Sequence, residues 1–303
     1  MPDRSRSLRR LGFLTIGLFD PADPAVGHES TLSLIELGEE LGLDSAWLRH
    51  RHLQFGISSP IAVMAAASQR TSRIELGTAV TPLGWENPLR LAEDLATVDV
   101  LSGGRINPGV SVGTPMQYDT VKDALYPDTA EVEDFSKTRV ERLAGLLAGE
   151  RVRELEGKQG VVEEYSARVE PHSPGLRERL WYGAGSLDSA VWAGEHGLHL
   201  LSSSVLFPGP DEEPDFAAVQ AAQIRAFRAA GGTRASQGLV VIPTDSASTD
   251  QAERYRAYAA ERLPRTRTPQ GPRRMMFAPD LVGTSEEIAE QLWAHEEIGR
   301  AHV

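Results

Sequence analysis

The chain has 303 residues, a formal net charge of -12 and no cysteine. The acidic balance argues against nucleic acid as a partner, because phosphate binding needs clustered Lys and Arg. The lack of cysteine removes disulfides, thiolate metal sites and a cysteine nucleophile. At 41% hydrophobic the chain can bury a large core, no apolar run has the length of a bilayer span, and a cytoplasmic location is expected. Lysine stands only at 122, 137 and 158 among 31 basic residues, an arginine bias that fits a GC-rich bacterial gene.

The opening "MPDRSRSLRRLGFLTIGLFD" places arginines before an apolar stretch, as a signal peptide does. The stretch stops at Asp20 with no small-residue cleavage site after it, so a first core strand over Gly12 to Phe19 is the better reading. Helix-like "ESTLSLIELGEELG" follows, then strand-like "DSAWLR". "SPIAVMAAASQRT" reads as a helix with a serine cap and Pro60 in its first turn. "RIELGTAV" is a third strand. "NPLRLAEDLATVDVLSGG" is an amphipathic helix with Leu89, Leu91, Leu95, Val98 and Leu101 near one face, closed by Gly103 and Gly104. "RINPGVSVG" is a fourth strand. Residues 113–133 read as a long loop over a site, "FSKTRVERLAGLLAGE" as a helix, and "VRELEGKQGVVEEYSARVEP" as a small hairpin turning at Gly157 to Gly160.

Alternation then returns with strands "RLWYGA", "LHLLSS" and "QGLVVIP". The helices between and after them are "SLDSAVWAGEHG", "EPDFAAVQAAQIRAFRAAGG" and "TDQAERYRAYAAERL", and a last helix has a capping box from Thr284 to Glu287. Strands alternating with helices imply parallel pairing through helical crossovers. Seven such units point to an α/β chain of the TIM (β/α)8 type, one domain over residues 1–296, with an open doubly wound sheet as the other arrangement of the same pattern.

In a barrel the chemistry sits at strand ends. The second strand ends "WLRHRHLQFG", with His50 and His52 two apart, so that on a strand both would face one side. The third ends "LGTAVTPLGWENP", where Gly77, Thr78 and Ala79 either let a flat ligand approach or pack tightly. The fourth ends "GVSVG", placing Ser111 at the mouth. The fifth ends "WYGAGSLDSA", a glycine turn into a helix start with Ser186 and Ser189, which is either a phosphate cradle or a plain cap. A His-x-His pair at a strand end also fits a metal-dependent barrel hydrolase using His50 and His52. That chemistry needs further ligands on other strands, and neither the lysines nor His196 and His199 stand at the right strand ends. No metal is therefore assigned.

Four ordered stretches, "AWLRHRHLQFG", "RIELGTAVTPLGWENPLRLAEDLATVDVLSGGRINPGVSVG", "LWYGAGSLDSAVWAGEHG" and "LVGTSEEIAEQL", resemble the bacterial luciferase-like flavin monooxygenase family over roughly residues 11 to 295. The resemblance implies a barrel, reduced FMN supplied by a separate flavin reductase, dioxygen as oxidant, a small-molecule substrate and a homodimer of the full-length chain. By the same resemblance His50 matches the catalytic histidine beside the flavin. Thr78, Ala79 and Val80 match the strand end that supports the ring, with a cis peptide between Ala79 and Val80. Ser111 matches a residue against the isoalloxazine, and Ala184, Gly185, Ser186 and Ser189 match the phosphate turn. Two departures stand out: Arg49-His50-Arg51 replaces the frequent Glu-His-His, and Val112 stands where luciferases have a phosphate-gripping arginine, a role that Arg273 or Arg274 could take over. A deazaflavin coenzyme working by hydride transfer is the alternative within the superfamily.

The chain ends "EIGRAHV", which reads back into codons matching a sequencing-library adapter. The expectation is a truncated product that lacks its eighth strand and helix and bears a non-native tail at 297–303.

Overall fold

Strands β1 (Gly12–Thr15), β2 (Ser45–Leu48), β3 (Glu75–Thr78) and β4 (Ile106–Asn107) lie side by side in chain order, and each neighbouring pair is parallel. Helices Pro24–Glu40, Pro60–Ser68 and Pro88–Ser102 make the crossovers. Each starts on a proline whose missing N–H is no loss in the first turn. Asp23 caps the first by accepting from Val26, and Asn87 caps the third by accepting from Leu89 and Arg90. Ser59 precedes the second without a side-chain capping bond. This is a computed structural model that describes residues 10–209 and 215–294. The chain packs as two units, residues 11–181 and the part from Tyr182 onward, which takes Arg10 with it.

In the unit 11–181, several sequence expectations change. The first strand ends at Thr15 rather than Phe19, where the Gly17 N–H turns back onto the Thr15 hydroxyl at 3.1 Å. The fourth strand is two pieces, β4 and β5 (Gly109–Ser111), broken at Pro108, which has no N–H for the ladder. β5 pairs in parallel with the short extension Thr81–Pro82. The helix 88–102 buries Leu91, Leu95 and Val98, but Leu89 and Leu101 are exposed. The segment 113–133 holds a helix, Tyr118–Leu125. The hairpin is present, with Gly157–Gln159 antiparallel to Glu163–Tyr165.

Gly77 shows its use in the fold. A Cβ there would lie 2.5 Å from the Trp47 ring, so this gap is filled by tryptophan rather than left for a ligand. Trp47 in turn meets Trp181 edge to face at 5.4 Å, and the Trp181 indole N–H donates to Asn107. Behind the sheet, the fully buried Asp99 accepts from the Ile106 N–H, the Ser173 hydroxyl and the Arg179 guanidinium. These three bonds tie helix 88–102 to β4 and to the segment entering Trp181.

The entry to β3 has an electrostatic clasp. Glu39 accepts from the N–H groups of Ser72, Arg73 and Ile74. Burial pushes its carboxyl up, but the hydrogen bonds from Ile74, Ser72 and Arg73 outweigh this and hold it at about 2, against an ordinary 4.5. A depressed carboxylate stabilises the fold above its unfolded pKa, and the gain is lost as pH falls toward the folded value. Glu39→Gln is therefore expected to lower stability at pH 7, with the gap to wild type closing between about pH 5 and about pH 2. Urea denaturation of both proteins at pH 7 and pH 3 checks this; a gap independent of pH would reject it.

In the unit from Tyr182, strand β6 (Trp181–Gly183) leads into helix Leu187–Glu195, and β7 (His199–Ser202) pairs in parallel with β8 (Ala235–Gln237). Helix Phe216–Ala229 packs on helix 187–195. The expected strand "QGLVVIP" is split: β8 pairs with β7, whereas β9 (Val241–Pro243) pairs in parallel with β10 (Leu281–Gly283). β10 runs into helix Ser285–Ala294, whose first turn has the expected reciprocal bonds between Thr284 and Glu287. β10 is not among the seven strands counted in the sequence, where only the helix after it is read. At three residues the strand is shorter than the apolar runs counted in the sequence. A core of Leu206, Phe216, Val219, Met276 and Ala278 closes the other side. The expected tail at 297–303 lies outside the described residues. Among those described, no helix is long and apolar enough to cross a membrane.

Candidate active site

β2 ends at Leu48, so His50 and His52 stand beyond the strand and its two-residue period does not place them. Hydrogen bonds of the following segment do so instead. The Arg49 N–H donates to Thr15, the Arg51 N–H to Ile57, and the Ile57 N–H to Ile16. His50 is thereby held at the C-terminal end of the sheet and is 8% exposed. The peptide between Ala79 and Val80 is cis. It leaves the same sheet end, with the Ala79 N–H donating to Leu48 at 2.9 Å.

The two imidazoles meet edge to face at 5.1 Å, and His52 stacks on Trp85 at 4.2 Å with ring planes 9° apart. Glu86 follows Trp85. Donor atoms of His50, His52 and Glu86 all lie within 4.8 Å of one another. Both ring nitrogens of His50 and Nε2 of His52 are buried without a hydrogen-bond partner. Burial, then the neighbouring His52, push the His50 imidazole down to about 3. Burial, then the charge of Asp94, raise the Glu86 carboxyl to about 7. At neutral pH the histidine is thus uncharged, with one donor and one acceptor nitrogen, while Glu86 can exchange a proton.

Arg139 anchors this corner. It is buried, and one guanidinium nitrogen donates to the carbonyls of Leu83 and Glu86 and to the Tyr126 hydroxyl, while another pairs with Glu133. Tyr126 itself donates to the Gly84 carbonyl. The segment expected to be a loop over the site is thereby pinned to the turn that bears Trp85 and Glu86.

The other expected residues of this unit differ in availability. Thr78 is fully buried, and its hydroxyl donates to Gly109 O and accepts from Gly109 N and Thr81. It joins two strands and has little left for a ligand. Ala79, Val80 and Ser111 are half-buried. Trp85, Glu86 and Arg139 were missed in the sequence. A signal was available in "GWENP", a Trp-Glu pair in the turn that follows β3 and the short strand Thr81–Pro82.

In the other unit, Ser186 caps helix 187–195 by accepting from the Ser189 N–H at 3.4 Å. Ser189 also hydrogen-bonds the buried Tyr182 hydroxyl. Ala184 is buried. A Cβ on Gly185 would lie 2.5 Å from the Phe207 ring. The Gly185 carbonyl accepts from the Phe207 N–H and from Gln223. On Phe207 rests the Arg273 guanidinium, 5.5 Å from the ring centroid. The turn therefore has a cation close by, although Asp188 in the first helical turn adds an opposing charge.

The family model described as luciferase-like monooxygenase matches residues 11–302. Among curated relatives, the alkanal monooxygenase alpha chain of Photobacterium leiognathi is 28% identical over 198 residues, 62% of this chain and 53% of that one. The F420-dependent glucose-6-phosphate dehydrogenase of Amycolatopsis mediterranei is 36% identical over 99 residues, 31% of this chain and 30% of that one. The chain thus spans about half or less of these relatives. Among solved structures, the oxygenating constituent of 3,6-diketocamphane monooxygenase from Pseudomonas putida, in complex with FMN, superposes with a TM-score of 0.66 at 15% identity, covering 97% of this chain and 90% of that one. That likeness is one of fold.

Proposed function

Because this chain belongs to the luciferase-like monooxygenase family, we propose that it binds reduced FMN and uses dioxygen to oxygenate a small organic substrate within a (β/α)8-type barrel. The observation behind this reading is His50: a buried imidazole with both nitrogens unpartnered, beside a backbone turn bearing a cis peptide at Ala79–Val80. Buried polar atoms ordinarily have partners, so a site with two orphaned nitrogens fits a polar ring system.

When bound, reduced flavin supplies the electrons that activate dioxygen. The residues of this chain do the rest. Ala79, Val80 and Ser111 offer half-buried surface to the ring. His50, neutral in its apolar setting, donates or accepts a single hydrogen bond and moves a proton at its free nitrogen. Glu86 exchanges that proton onward. Ala184, Gly185, Ser186 and Ser189 form the phosphate turn, and Arg273 takes the place of the arginine that Val112 lacks. A separate reductase supplies the reduced cofactor, and the full-length protein is a homodimer.

Ser186→Ala and Arg273→Ala are each expected to weaken FMN binding by roughly ten- to hundredfold, the worth of one hydrogen bond to a charged group, and riboflavin binding far less. The Ser186 change also removes a helix cap, so the FMN-to-riboflavin ratio is the diagnostic quantity. Fluorescence titration with both ligands measures it, and equal losses for both would put the phosphate elsewhere.

The names of several relatives favour a second reading, a deazaflavin coenzyme acting by hydride transfer without oxygen. Incubation with reduced FMN, dioxygen and a substrate panel separates the two. Oxygen uptake coupled to product supports the monooxygenase. Binding and oxidation of a deazaflavin without oxygen uptake would replace it.

A further inference from the structure

We infer that His50, His52 and Glu86 form a binding site for a divalent transition-metal ion of the zinc class. Two imidazoles and one carboxylate are a donor set that such ions favour. The three residues come from two different turns at one end of the sheet, and their donor atoms lie within 4.8 Å of one another. Bound zinc holds its nitrogen and oxygen ligands at about 2.0–2.2 Å, so the donors need close in only by about an ångström, within the reach of side-chain rotation. In the sequence no third ligand is offered at a strand end by the lysines or by His196 and His199. Glu86, in the turn that follows β3 and the short strand Thr81–Pro82, is that ligand.

Three further observations point to a cation. The His50 nitrogens and Nε2 of His52 are buried and unpartnered, whereas buried polar atoms almost always have a partner. His52 is braced by its stack on Trp85, and the Glu86 backbone is held by Arg139, so two of the three ligands are already positioned. Asp94 lies close enough to act on the Glu86 carboxyl and adds negative charge, while Arg49 and Arg51 flank His50 in sequence with positive charge. With three protein ligands a fourth position stays open. Zinc bound there occupies a His50 nitrogen, so it also inhibits any turnover in which His50 moves a proton. Binding itself does not depend on the flavin reading.

The test uses the full chain, freed of metal with a chelator and titrated with zinc chloride against a chromophoric zinc indicator, without flavin. Cobalt(II) serves as the spectroscopic probe. One ion per chain, with the visible absorption of four-coordinate cobalt, is expected. His52→Phe keeps a ring against Trp85 and removes the donor, and Glu86→Gln keeps the shape and removes the charge. Each is expected to lose at least the about tenfold affinity that removal of an orienting partner alone costs. His28→Ala, away from the cluster, should bind as wild type does. Circular dichroism confirms that the variants fold, and His50→Gln repeats the test should His52→Phe not fold. Sub-stoichiometric zinc, unchanged affinity in both cluster variants, or an equal loss in His28→Ala would overturn the site. Zinc binding by the full chain, with no oxygenase turnover when the metal-free protein is given reduced FMN and dioxygen, would reject the oxygenase reading and leave the metal site standing.

Discussion

Replacement of His50 with alanine is expected to lower oxygenation turnover by about a hundred- to ten-thousandfold, the usual worth of a positioned acid–base group, while the chain stays folded. The side chain is buried at the sheet end and makes no hydrogen bond that other elements rely on, so its removal deletes chemistry with little structural support. Some of the loss should show as uncoupling, with oxygen consumed and hydrogen peroxide released in place of product. The measurements are kcat and the ratio of oxygen consumed to product formed, with reduced FMN in excess. Because burial and His52 hold this imidazole near 3, its protonation should not limit turnover until the solution is strongly acidic. Unchanged turnover and coupling in His50→Ala would remove His50 from the mechanism.

A second large effect is expected at Arg139. Its guanidinium holds two carbonyls of the turn 83–86, the Tyr126 hydroxyl and the Glu133 carboxylate, and its side chain is 7% exposed, that of Glu133 18%. Arg139→Ala leaves a largely buried carboxylate without its partner. Breaking one side of such a pair costs about 3–5 kcal/mol, a large part of the stability of a typical domain. Arg139→Lys keeps the charge but loses the fork that reaches both carbonyls, so it should recover only part of the loss. Chemical denaturation measures the first effect. Limited proteolysis of the segment 113–133 tests the second, which should become cleavable in both variants. A loss below about 1 kcal/mol, the level of an exposed pair, would show that the corner is held by other contacts.

Much of the local structure was legible because it depends on neighbours in sequence. Apolar periodicity, prolines at helix starts and Gly103 after the last turn placed the helices of the unit 11–181. The Thr284–Glu287 capping box marked the last helix by its three-residue spacing alone. The alternation of strands and helices announced parallel pairing, since parallel strands require a crossover. Where the pattern was ambiguous the sequence stayed so: "RINPGVSVG" and "QGLVVIP" each read as one strand and form two, the first because Pro108 has no N–H for the ladder and the second because its two halves find different partner strands.

The site shows the same division more sharply. His50 and the Ala79–Val80 peptide could be named from "WLRHRHLQFG" and "LGTAV", since those stretches resemble a family in order and spacing. That Glu86 lies with His50 and His52, that Trp85 stacks on His52, and that Trp47 fills the space beside Gly77 could not be read there. These contacts join residues about thirty or more apart, and each is set by how turns converge at the end of a sheet. The same holds for Arg273, which rests on the Phe207 ring that packs against Gly185. The sequence by itself determined which segments are helix or strand and which residue types could do chemistry, because backbone propensity and side-chain chemistry are local. Tertiary structure alone decided which of those side chains are buried, left without partners and brought together, because burial and proximity belong to the packed chain.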